Sequence, residues 1–105
     1  MNNTTFYRNA YAKHGVSAMG VNWHSKETQE MRFAIIAQLL KSEKIAHSTI
    51  LDAGCGFGDL YLYLHQQGLR PKHYVGVDVM DEFIQIAHKR LARFSNCKLM
   101  SHLQI

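Results

Sequence analysis

Ile50-Leu51-Asp52-Ala53-Gly54-Cys55-Gly56-Phe57-Gly58-Asp59 is the stretch on which the fold turns. Thr49 to Ala53 is short, apolar and bounded by glycine, and reads as a buried strand. On the other side, Asp59-Leu60-Tyr61-Leu62-Tyr63-Leu64 fits a helix or a strand by periodicity alone. Gly68 followed by Pro71 supplies a helix stop, which decides for a helix. Between the two elements, Gly54, Gly56 and Gly58 allow positive φ and remove Cβ atoms, so that a flat ligand can lie against the backbone. The start of the helix adds free N–H donors.

Downstream, His73 to Val79 is β-branched and aromatic and reads as a second strand. Asp78 stands at its end, twenty residues after Gly58, where a carboxylate can accept both hydroxyls of a ribose. Asp81 and Glu82 open a further helix, with Phe83, Ala87, Leu91 and Phe94 facing inward. Lys98 to Ile105 reads as a third strand. Upstream, Ser25 is placed to cap a helix running to about Lys44, with Glu27 and Glu30 in its first turn. Met31, Ile35 and Leu39 form its expected inner stripe, widened by Ala34 and Ile36. Residues 1–24 are a weakly periodic lead-in, and residues 25–105 form one α/β unit. Helices alternating with strands imply a parallel sheet with right-handed crossovers.

Composition narrows the classes. The chain has 105 residues, 47% hydrophobic and 19% charged, which suits one folded domain and argues against wholesale disorder. No apolar run is long enough to span a membrane, and MNNTTFYRNA lacks a secretory core, so the expected location is cytoplasmic. The net charge of +4 is dispersed; its longest cluster, Lys89, Arg90 and Arg93, reads as a solvated helix end rather than a nucleic-acid patch. Cys55 and Cys97 are unpaired in spacing and are expected as reduced thiols. The seven histidines are scattered, so no metal site is expected.

Two nucleotide-type ligands compete for the glycine loop. A dinucleotide site asks for G-x-G-x-x-G, but the third glycine arrives one residue early and Asp59 fills the sixth position. Asp52 and Asp59 flank the loop, and two carboxylates beside a pyrophosphate repel it. The same charges favour a ligand with an ammonium and a sulfonium, which points to S-adenosylmethionine rather than a nicotinamide dinucleotide.

These segments together are similar to class I S-adenosylmethionine-dependent methyltransferases. Ile50 to Gly58 resembles their first motif and Tyr74-Val75-Gly76-Val77-Asp78-Val79 their second. The resemblance implies a Rossmann-like methyltransferase fold, a parallel sheet with flanking helices, cut to about three strands. It implies that Gly54 and Gly56 lie against the methionine and ribose parts of the cofactor, with Cys55 and Gly58 in the same loop. Asp52 would hold the methionine ammonium, Asp78 the ribose hydroxyls, and Val79 would wall the adenine. Cys55 itself reads as a space-filler rather than a catalytic thiol. On this reading Asp78→Ala weakens cofactor binding and leaves folding little affected. His14-Gly15, Gly20-Val21-Asn22-Trp23 and Gln29-x-x-Arg32-Phe33 resemble the lead-in of a subgroup of small methyltransferases. Tyr11, His14 and Trp23 there read as packing residues or a lid, and Arg32 as a surface arginine or a contact to the methionine carboxylate.

The resemblance covers roughly residues 10–95. The family's sheet has further strands that carry acceptor-binding and catalytic residues, and no catalytic residue can be assigned here. The acid usual after the third strand is missing from Lys98-Leu99-Met100-Ser101-His102, where Ser101 or His102 could substitute. Three functions stay open: a methyltransferase acting on a small molecule, a non-catalytic nucleoside-binding module, and a nicotinamide-dependent oxidoreductase. In the family-like strand order the first strand becomes an edge. An apolar edge invites pairing, so a homo-oligomer covering Thr49–Ala53 is expected, or else cover by the helix of residues 26–43.

Overall fold

The structure is a computed structural model that describes residues 26–41 and 44–102. The lead-in 1–24, the proposed cap Ser25 and residues 103–105 lie outside the described residues. The elements run α1 (Lys26–Lys41), a short 3-10 turn (Ile45–His47), β1 (Thr49–Ala53), α2 (Asp59–Gln66), β2 (His73–Val77), α3 (Asp81–Leu91) and β3 (Cys97–Met100). The three strands form one parallel sheet in the order β1-β2-β3, as the alternation requires. β1 keeps its expected bounds. β2 ends two residues early, which moves Asp78 and Val79 out of the strand and into the turn beyond it.

The register sorts the strand residues onto two faces. Ile50 pairs with Tyr74 and Asp52 with Gly76, while Tyr74 and Gly76 pair in turn with Cys97 and Leu99. This face is covered: Tyr74 and Leu99 pack with Tyr61 of α2 and with Ile84, Ala87 and Leu91 of α3. On the opposite face Leu51 remains 56% exposed, although it is apolar. Burial on one face only makes β1 alternate between half-buried and exposed positions.

Each helix end has a local cause. Beyond α2, Gly68 adopts φ +74°. Its N–H donates to the His65 carbonyl and that of Leu69 to the Leu64 carbonyl, the paired bonds that close a helix over a left-handed residue. At the start of α3, the Asp78 carboxylate accepts the Met80 N–H at 3.0 Å. Phe83, Ala87 and Leu91 are buried as their spacing predicts, and Phe94, beyond the helix, packs edge-on against Tyr61.

α1 departs from expectation. Met31, Ile35 and Leu39 are 66%, 61% and 64% exposed, while the buried stripe is Gln29, Phe33 and Ala37, with Ile36 and Leu40 packed beside it. This helix is apolar on two sides, so periodicity offers two stripes. The one chosen is i, i+3, i+4, i+7 from Phe33, whose ring meets Tyr63 of α2 at 5.6 Å and joins Leu60 and Leu64. The signal was in the sequence; the partner that selects between the stripes was not. The helix therefore packs on α2 and leaves Leu51 of the edge strand exposed.

Candidate functional site

The loop between β1 and α2 faces a cavity of about 460 Å³ at the C-terminal ends of the strands. That size suits a small-molecule ligand. Asp52, Gly54, Cys55, Gly56, Asp78 and Val79 all line it, so six of the seven positions singled out in the sequence converge on one space. Gly58 does not. Its φ of +82° and its approach to α3, where a Cβ would lie 2.9 Å from the Leu91 side chain, make it a packing residue at the start of α2.

The loop is held by its own backbone. The N–H groups of Gly54 and Cys55 both donate to the Val77 carbonyl, at 2.7 and 3.0 Å. Gly56 N–H donates to Asp78 Oδ2 at 2.9 Å, and Gly58 N–H to the Cys55 carbonyl at 3.1 Å. The N–H groups of Gly54, Cys55, Gly56 and Gly58 are thus committed to protein acceptors. A phosphate cradle needs such donors turned outward.

Charge in the cavity is one-sided. Asp52, Asp59 and Asp78 line it, together with no lysine, arginine or histidine among the described residues. Asp59 is offset, because Arg90 Nη2 donates to its Oδ1 at 2.8 Å while Nη1 donates to the Phe57 carbonyl at 2.9 Å. Arg90 therefore ties α3 to the loop; the sequence had grouped it with a solvated helix end. Asp52 and Asp78 make no ion pair among the described residues. Burial pushes the Asp52 carboxyl above its ordinary value, a hydrogen bond from Tyr74 lowers it in part, and the charge on Asp78 raises it again.

Burial, and then the charges of Asp52 and Asp78, push the Cys55 thiol up to about 12. At neutral pH it is a thiol and not a thiolate, so it is no nucleophile. Its Sγ sits over Gly76, where a Cβ would lie 3.0 Å away, so the residue fills space beneath the sheet.

The remaining walls are apolar. Phe57 and Phe83 pack at 4.7 Å between centroids, and Val79 is 66% exposed at the rim. From α1 come Gln29, Phe33 and Ile36, which the sequence did not assign to the site. Their one signal in the sequence was the Gln29-x-x-Arg32-Phe33 segment, which carries Gln29 and Phe33 but not Ile36.

Residues 50–103, slightly more than half of the chain, match a family described as methyltransferase domain, and the chain belongs to that family. No curated protein matches it. Among solved structures it is similar to phosphoethanolamine N-methyltransferase 1 of Haemonchus contortus, solved with phosphoethanolamine and S-adenosylhomocysteine. There the identity is 20% and the TM-score 0.65, over 96% of this chain and 22% of that one. It is also similar to the ribosomal protein L11 methylase of Lactobacillus delbrueckii subsp. bulgaricus, at 22% identity and TM-score 0.54 over 71% and 38% of the two chains. The YcgJ protein of Bacillus subtilis matches at 19% identity and TM-score 0.56, over 68% and 29%. The chain thus spans less than two fifths of the length of each. At these identities the likeness is one of fold: a Rossmann-like methyltransferase fold, here of three parallel strands with flanking helices. No helix among the described residues is long and apolar enough to cross a membrane.

Proposed function

We propose that the chain binds S-adenosylmethionine in this cavity and serves methyl transfer to a small-molecule acceptor. The observation that carries the reading is a lining with three carboxylates, two of them without a cation, and no basic side chain among the described residues. Such a lining attracts an ammonium and a sulfonium and repels a pyrophosphate. The committed N–H groups of Gly54, Cys55, Gly56 and Gly58 argue in the same direction, against a dinucleotide.

In this reading Asp52 meets the methionine ammonium. The open lone pairs of Asp78 accept the ribose hydroxyls, and Val79 with Phe57 and Phe83 borders the adenine. Gly54, Cys55 and Gly56 give the ligand a low backbone floor, while Gly58 supports that floor by closing α2 onto α3. The sulfonium is already activated. A cofactor held by Asp52, Asp78 and Val79 would supply an electrophilic methyl group to the acceptor's lone pair, with the neutral thioether as leaving group. In-line placement does most of this work.

Calorimetric titration with S-adenosylmethionine, S-adenosylhomocysteine and NAD tests the reading. Binding of the first two and not the third is expected; binding of NAD alone overturns it. Asp52→Asn gives a sharper test, because its two effects have opposite signs. A carboxyl whose folded-state pKa is raised contributes stability below its unfolded value and loses it as pH rises through the folded one. At neutral pH the ionised Asp52 therefore destabilises the unliganded chain. Asp52→Asn is expected to raise the thermal midpoint at pH 7 while weakening S-adenosylhomocysteine by about 10- to 100-fold. Unchanged affinity would remove Asp52 from the ammonium site.

The edge of β1 supports an assembly. The strand pairs, among the described residues, with β2 alone, and Leu51 is exposed beside it. A second copy of the chain covering this edge is expected to give a dimer or larger species in sedimentation at micromolar concentration. A monomer with strongly protected Ile50 and Leu51 amides in hydrogen exchange rules that assembly out.

A further inference from the structure

Tyr74 is fully buried, yet its hydroxyl donates to Asp52 Oδ2 at 2.6 Å. The register explains the reach. Asp52 lies directly opposite Gly76, and Tyr74 is the diagonal neighbour two residues earlier on the same face of β2. A long aromatic side chain can span that diagonal, and Gly76 presents no side chain to obstruct it. Packing fixes the ring, which lies 5.1 Å from that of Tyr61.

Among the described residues this is the sole protein donor to Asp52, and it engages one oxygen only. No side-chain oxygen or nitrogen among them is sealed from solvent without a partner, so Oδ1 is accessible, and the cavity is the space Asp52 lines. A lysine or arginine in place of Tyr74 would steady the carboxylate equally well, but it would neutralise it. A phenol steadies it and leaves the charge whole. Burial and the neighbouring Asp52 push the Tyr74 hydroxyl far above its ordinary range, so it remains a donor.

We propose that Tyr74 is a positioning residue, which orients the Asp52 carboxylate and keeps its full negative charge available to a ligand's ammonium group. The proposal rests on the cofactor reading above and adds to it a residue that never touches the ligand. The ionisable groups facing Asp52 are Tyr74 on β2, Asp78 in the turn beyond it and Cys55 in the glycine loop. Of these, only Tyr74 lowers the Asp52 pKa. Its loss therefore moves protonation of Asp52 to higher pH.

Tyr74→Phe keeps the packed ring and removes the hydroxyl. The probes are S-adenosylhomocysteine, which carries the amino-acid end, and 5′-methylthioadenosine, which lacks it, titrated calorimetrically across pH 5–8. The variant is expected to bind S-adenosylhomocysteine roughly 5- to 20-fold more weakly, a smaller loss than that of Asp52→Asn because the carboxylate itself remains. The acid limb of that affinity profile should move to higher pH, while methylthioadenosine is unaffected. Placing Tyr74→Phe in an Asp52→Asn background should cost nothing further, because the hydroxyl acts through the carboxylate. Equal weakening of both ligands would make Tyr74 merely structural and overturn the proposal, as would an unchanged affinity and pH limb. A wild-type chain that binds neither ligand overturns the cofactor reading and this inference with it.

Discussion

Asp78→Ala is expected to lose ligand affinity and folding stability together. From the sequence, this residue reads as a ligand-binding acid whose removal the fold would hardly notice. The structure gives its carboxylate two further duties. Oδ2 holds the Gly56 N–H at 2.9 Å and so fixes the middle of the glycine loop. Oδ1 holds the Met80 N–H at 3.0 Å and so starts α3. Both bonds are charge-assisted and partly buried, and losing them together should destabilise the chain by about 2–4 kcal/mol. Affinity for S-adenosylhomocysteine should fall by more than the ribose contacts alone explain, because the loop that lines the cavity loses its tether. Asp78→Asn discriminates between the duties. Its amide oxygen can keep one backbone bond, so it should recover part of the stability without recovering full affinity. Urea denaturation paired with calorimetry reads both quantities. If Asp78→Ala unfolds at the wild-type midpoint, the carboxylate is not the tether.

The second large effect is at Gly76, in the middle of β2. A Cβ there would lie 2.7 Å from Leu99 Cδ2 and 3.0 Å from Cys55 Sγ. Both neighbours are buried, one on β3 and one in the glycine loop. Gly76→Ala must therefore displace the Leu99 side chain and crowd that of Cys55, at about 1–3 kcal/mol. Gly76→Val should exceed that range and fail to give a folded product. The Leu99 contact can be isolated by a double-mutant cycle. Leu99→Ala alone removes a buried side chain, at about 2–5 kcal/mol. Combined with Gly76→Ala, it vacates the space that the new methyl needs, so the pair should destabilise by clearly less than the sum. Strict additivity in equilibrium denaturation would show that the close approach is relieved elsewhere.

Both positions show where reading the sequence reaches its limit. Local pattern determined the element order, the bounds of β1, the stop at Gly68 and the parallel sheet, because each follows from residues adjacent in the chain. The spacing from the glycine loop to Asp78 likewise determined that six of the seven chosen positions would share one cavity, since a βαβ unit brings the ends of neighbouring parallel strands together. Pairing across the fold was decided by tertiary structure alone. Helix α1 offered two apolar stripes, and contact with Tyr63, Leu60 and Leu64 selected Phe33 and Ala37 over Met31 and Ile35. Arg90 could be assigned to the loop only once α3 lay beside Asp59 and the Phe57 carbonyl. Gly58 moved from ligand contact to packing because Leu91 occupies the space above it. The bond from Tyr74 to Asp52 depends on strand register, and parallel register is set by the packing of the whole sheet rather than by any turn between the two residues.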